Sequence, residues 1–186
     1  MLNPLYEGET MSMEIKERIK SLEVALNNED QERNFYLKHQ ERTNNPVGKL
    51  MFGTLANDES EHYQRILKLH ETLKEAGKWP DTIPLQVKGT EVKSVLQNVI
   101  ESVDKLPETD KDDVEAIKIA VDFEAKGVEF YENLHKSVDD PLEKEFYGML
   151  ASIEREHFLS LQDTYEYFKD PGGWYQTKEK PHLDGG

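Results

Sequence analysis

Cysteine is absent from the 186 residues. That removes disulfides, thiolate-bound zinc, iron–sulfur clusters and thiol catalysis together. Long apolar runs are missing too, and no stretch approaches the ~20 residues that a membrane helix needs. Residues Met1 to Thr10 include acids and no apolar signal core, so a cytoplasmic protein is expected. Positive charge is scarce: 23 Lys and Arg face 38 Asp and Glu, for a formal net charge of -15. Duplex binding requires basic side chains that displace counterions, so nucleic acid is not an expected partner, and the missing apolar runs remove the membrane as one.

What is present is helical. Charged residues make up 33% and hydrophobic ones 36%, the mix of a core wrapped in solvated helix faces. Pro46 follows Thr43-Asn44-Asn45, and Pro141 follows Val138-Asp139-Asp140. Each pattern stops one helix and starts the next with proline in the first turn. Gly77 and Pro80 end a second segment, and Pro171-Gly172-Gly173 ends a fourth. The sequence therefore predicts helices over about 11–43, 46–76, 111–137 and 141–169, followed by a tail over 170–186. The crossover 78–110 is too long for a turn. Within it Thr90 reads as an N-cap, and Val92, Val95, Leu96, Val99, Ile100 and Val103 follow at helical spacing. The expected fold is all-α: two helical hairpins joined by a long crossover with a short extra helix, packed as a four-helix bundle.

A repeat organises the chain. Shifted by 95 residues, the halves align without a gap, with sixteen identities over 25–79 where chance gives about three. Glu29 meets Glu124, Tyr36 meets Tyr131, and Glu59 and His62 meet Glu154 and His157. Even Trp79 meets Trp174. Two copies of one hairpin should pack about a pseudo-twofold axis.

The inward stripe of each helix carries a glutamate where apolar residues surround it. Leu22 and Leu26 precede Glu29, and Phe52 and Leu55 precede Glu59. Val121 precedes Glu124, and Leu150 precedes Glu154. His62 and His157 follow one turn after Glu59 and Glu154 on the same stripes. Glu61 and Glu156 fall off the stripe and should face solvent. Buried carboxylates without partners are very costly, and four together repel. Two divalent cations balance four carboxylates and two neutral imidazoles. Oxygen donors with one imidazole per metal suit iron or manganese. A single Glu-x-x-His on a charged helix is ordinarily a solvated pair, and the competing reading is a bundle whose buried Glu–His network stays empty of metal. The doubled, inward-facing pattern argues for two metals held by Glu29, Glu59, His62, Glu124, Glu154 and His157.

At these residues the chain resembles the rubrerythrin-like branch of the ferritin superfamily. The resemblance is carried by Glu29–Tyr36, Leu55–His62, Glu124–Tyr131 and Leu150–His157, and it spans about 11–169. It implies a ferritin-like fold and a non-haem di-iron site that reacts with peroxide or oxygen. It further implies that Glu59 and Glu154 bridge the metals, with Glu29 and Glu124 as terminal ligands. Tyr36 and Tyr131 are implied to hydrogen-bond those terminal carboxylates, and a homodimer is expected. Asp58 stands where it can orient a ligand histidine of the opposite hairpin, but its repeat partner is Ile153, so that contact would be one-sided. Two departures stand out. The family's extra carboxylate, three residues after the third ligand helix's glutamate, is Gly127 here, and Glu32 at the repeat-related position is a candidate extra ligand. The family's cysteine-ligated rubredoxin module has no counterpart, so a peroxidase would need a separate electron-donor protein. An iron-oxidising storage protein is the alternative function. The tail Asp170–Tyr175 and Leu183–Gly186 also resembles the ends of some relatives, without an evident role.

Overall fold

The computed structural model describes residues 4–80, 89–102 and 109–179. Six helices follow in order: α1 Pro4–Arg42, α2 Pro46–Ala76, α3 Val92–Ser102, α4 Lys111–Ser137, α5 Pro141–Lys169 and α6 Pro171–Glu179. No strand occurs among the described residues. The fold is the expected all-α, ferritin-like bundle, with α1 and α2 forming one hairpin and α4 and α5 the other. Among the described residues no helix is long and apolar enough to cross a membrane.

The hairpin turns are set by side-chain caps. Asn45 accepts from the Val47 and Gly48 amides at 2.9 and 3.3 Å and starts α2. Asp140 does the same for Leu142 and Glu143 at 2.9 and 3.1 Å and starts α5. Each cap stabilises its helix by about 1 kcal/mol. Gly77 ends α2 with φ 64°, a left-handed conformation that glycine adopts without steric cost. Gly148 lets α4 and α5 approach closely, because a methyl there would lie 3.1 Å from Nδ1 of His135. The His135 ring is itself held by the Lys144 carbonyl at 2.8 Å.

Two apolar clusters fill the bundle, one on each side of its middle. The first joins Phe52, Leu55, Ile117, Leu161 and Phe168 to Val92, Val95, Leu96 and Val99 of α3. The second joins Leu22, Ile66, Leu69, Leu73, Phe146 and Leu150 to Trp79. The crossover helix α3 thus packs against α2 and α5 and belongs to the core.

Two features differ from the sequence reading. Helix α1 begins at Pro4, seven residues before the expected start. The tail contains α6, although Gly172-Gly173 read as a helix end. Asp170 caps it by accepting from the Gly173 amide at 3.0 Å, and Pro171 occupies its first position. Trp174 anchors it by donating Nε1–H to Asp163 at 2.9 Å. Residues 81–88 and 103–108 of the crossover, and Leu183–Gly186 of the tail, lie outside the described residues.

Candidate metal centre

Between the two apolar clusters sit six polar side chains, each at most 1% exposed: Glu29, Glu59, His62, Glu124, Glu154 and His157. The helical stripes deliver one glutamate per helix to this level, and α2 and α5 each add a histidine one turn on. His62 Nδ1 lies 3.2 Å from Glu29 Oε2, 2.9 Å from Glu59 Oε2 and 3.4 Å from Glu154 Oε1. His157 Nδ1 lies 3.3 Å from Glu59 Oε1, 3.4 Å from Glu124 Oε2 and 3.6 Å from Glu154 Oε2. Glu59 and Glu154 thus turn one oxygen toward each histidine, while Glu29 and Glu124 each serve one side. The donors fall into two overlapping groups, Glu29–Glu59–His62–Glu154 and Glu59–Glu124–Glu154–His157, each with ligand atoms within 4.8 Å of one another. The imidazole rings are stacked with centroids 5.9 Å apart.

The donor set fits a pair of metal ions. Glu59 Oε1, Glu124 Oε2, both Glu154 oxygens and His157 Nδ1 are buried without a hydrogen-bond partner. Lone pairs facing one another with nothing upon them are costly unless cations occupy the space between. The protonation of the metal-free cluster points the same way. Burial pushes the Glu29 carboxyl up to about 8 and raises Glu124 well above the ordinary range. Burial acts on Glu59 and Glu154 in the same sense, but both are held below that range: Glu59 by the two histidines, against the Glu154 charge, and Glu154 by the close approach of Glu124 and the histidines. Burial disfavours charge on the histidines too, yet the surrounding carboxylates hold both well above an ordinary imidazole. Without metal the cluster therefore favours protons on its terminal carboxyls and its imidazoles, where metal would otherwise supply positive charge.

The supporting residues cross between hairpins. Tyr36 donates its hydroxyl to Glu124 Oε1, and Tyr131 donates to Glu29 Oε1. The pattern is reciprocal, as a pseudo-twofold axis requires. Burial, followed by the glutamate each one meets, keeps both phenols protonated. A Tyr131→Phe variant is expected to keep the fold and weaken metal at the Glu29–His62 position by about 10–100-fold, read by manganese(II) titration. Glu32 is 9% exposed and lies one turn beyond Glu29, but it belongs to neither donor group. Burial and the four nearby glutamates raise its carboxyl well above the ordinary range. Gly127 packs on Glu154, which belongs to both donor groups: a methyl there would rest 3.4 Å from its Cγ and Oε2.

Asp58 reaches the opposite hairpin, with Oδ2 3.1 Å from His157 Nε2. The same oxygen accepts from Thr90 Oγ1 at 2.6 Å. The sequence marks Thr90 as a cap, which it is, accepting from the Val92 amide at 3.0 Å. Its link to Asp58 carries no sequence signal, because the two residues lie on different segments with no shared periodicity.

Comparison with known families agrees with this geometry. A family model described as Rubrerythrin matches residues 20–165, which include all six cluster residues. Searches of curated proteins and of solved structures return no match. The match covers well over half of the chain, and the chain belongs to the rubrerythrin family, with a metal-binding carboxylate–histidine cluster at the centre of its bundle.

Proposed function

We propose that this protein is a non-haem di-iron oxidoreductase that reduces hydrogen peroxide, or oxygen, with electrons from a separate donor protein. The observation that carries the reading is the sharing of Glu59 and Glu154 between two otherwise separate donor groups. Oxygen-rich donors with one imidazole each favour iron, with manganese the other metal they suit. Bound there, a pair of redox-active metals supplies the two electrons that peroxide takes up as it becomes two waters, two protons being consumed.

The residues of the chain provide the setting. Glu59 and Glu154 fix the spacing of the two positions. Tyr36 and Tyr131 hold Glu124 and Glu29 through one oxygen each, leaving the other oxygen free to bind or shift. Burial of all six ligands excludes large substrates and favours a molecule the size of peroxide or oxygen. Glu32 is the candidate for an additional carboxylate ligand, reaching from α1 in place of the one missing at Gly127. No cysteine in these residues can hold a thiolate-bound redox iron, so in this reading the electrons come from outside these residues.

The test is stopped-flow mixing of the reduced, iron-loaded protein with hydrogen peroxide. Oxidation much faster than that of free ferrous ion is expected. A rate no faster than the free ion would overturn the assignment. Rapid turnover with oxygen alone, coupled to iron accumulation, would favour the storage reading instead.

A further inference from the structure

The cluster is symmetric in its ligands and asymmetric in what stands behind them. A neutral His157 that donates Nε2–H to Asp58, 3.1 Å away, turns its Nδ1 lone pair toward Glu59, Glu124 and Glu154. Asp58 is itself fixed by Thr90 at 2.6 Å, and Thr90 caps a helix whose Val92, Val95, Leu96 and Val99 are buried in the core. A continuous chain of contacts therefore runs from the crossover helix to one ligand histidine. The repeat relates Asp58 to Ile153, a buried aliphatic residue only 6% exposed. Ile153 offers no acceptor, so His62 gains no equivalent anchor from α5.

A carboxylate behind a ligand histidine fixes its tautomer and ring angle and raises its basicity. An aliphatic residue in the same place gives its histidine neither the fixed tautomer nor the added basicity. We propose that the two metal positions are built unequal: the Glu124–His157 position, locked by Asp58 and Thr90, is the tight one, and the Glu29–His62 position is the exchangeable one. Asp58 and Thr90 are positioning residues, acting through His157. The inference rests on the two-metal reading above and deepens it by ranking the two sites in affinity.

Titration of the metal-free protein with manganese(II) tests it, read by calorimetry and by the loss of the free-ion magnetic resonance signal. The expected result is two steps, the first tighter by about tenfold or more. Anomalous diffraction from crystals grown with one equivalent of manganese should place the ion beside Glu124 and His157. Asp58→Asn keeps the shape and removes the charge, and it should weaken the first step by about 10–100-fold. Ile153→Asp supplies the missing anchor and should tighten the second step, closing the gap. This gain does not depend on whether the Asp58 variant folds. Two equal positions with an unchanged Asp58→Asn titration would overturn the inequality while leaving the two-metal reading standing. Failure of the unmodified protein to bind any metal would remove that reading itself.

Discussion

A Glu59→Ala variant is expected to lose at least one metal of the pair, with total affinity down by more than about 100-fold. The reason is the direction of its two oxygens. Oε2 lies 2.9 Å from His62 Nδ1 and Oε1 lies 3.3 Å from His157 Nδ1, so one side chain serves both positions. Removing it takes a donor from each group of four and leaves Glu154 as the sole shared carboxylate. Loss of a residue that merely supports a ligand already costs about 10–100-fold in metal affinity, and loss of a shared ligand exceeds that. Metal content after anaerobic loading and desalting measures the effect, together with the optical spectrum of the oxidised protein. Glu61→Ala is the matched control. Glu61 is two residues away on the same helix, but it is partly exposed and paired with Arg65 at 3.1 Å. Its removal should leave metal content unchanged. A Glu59→Ala protein that kept both metals and an unaltered spectrum would end the bridging assignment.

Much of this centre is legible in the sequence because the chain says it twice. A glutamate on an apolar stripe is ambiguous, but its recurrence 95 residues later, with tyrosine and Glu-x-x-His in register, is hard to reconcile with a solvated face. The hairpins are legible for a local reason. Asn45-Pro46 and Asp140-Pro141 combine a capping side chain with a residue that starts a helix and cannot continue one. Legibility ends where the repeat is broken or where contact crosses between segments. Gly172-Gly173 reads as a terminator, yet Asp170 and Trp174 hold α6 through side-chain bonds that glycine propensity does not report. Asp58 could be suspected of reaching a histidine, since it stands beside a ligand on the inner helix. Thr90 could not, because only the packing of α3 against α2 and α5 brings its hydroxyl to Asp58. The symmetric part of the site is thus written in the sequence, and the part that makes its halves differ is written in the tertiary packing.

Metal loading is expected to raise the melting temperature by about 15–30 °C, by a margin that widens as pH rises. At free metal a thousandfold above Kd, each site adds about 4 kcal/mol. For a chain of this length each kcal/mol moves the melting temperature by about 2–4 °C. The pH dependence follows from the proton inventory of the metal-free cluster. Glu29, whose carboxyl burial raises to about 8, contributes stability that is complete below the ordinary carboxylate range and lost as pH climbs through that value. Glu124 and Glu32, raised by burial and by neighbouring carboxylates, act in the same direction. His62 and His157 are held above the ordinary imidazole by those carboxylates, and their contribution is likewise lost as pH climbs through their folded values. Glu59 and Glu154 are held low, so their contribution fails only in acid. From about pH 6 to about pH 9 the metal-free protein should therefore weaken steadily. The loaded protein should not, because metals replace the protons that hold the carboxylates together. Loading near neutrality should correspondingly release protons from carboxyls and imidazolium rings, measurable by calorimetry in buffers of differing ionisation enthalpy. Thermal melts of both forms across this range provide the check. A metal-free melting temperature that stayed level or rose toward pH 9 would show that protons do not stand in for the metals.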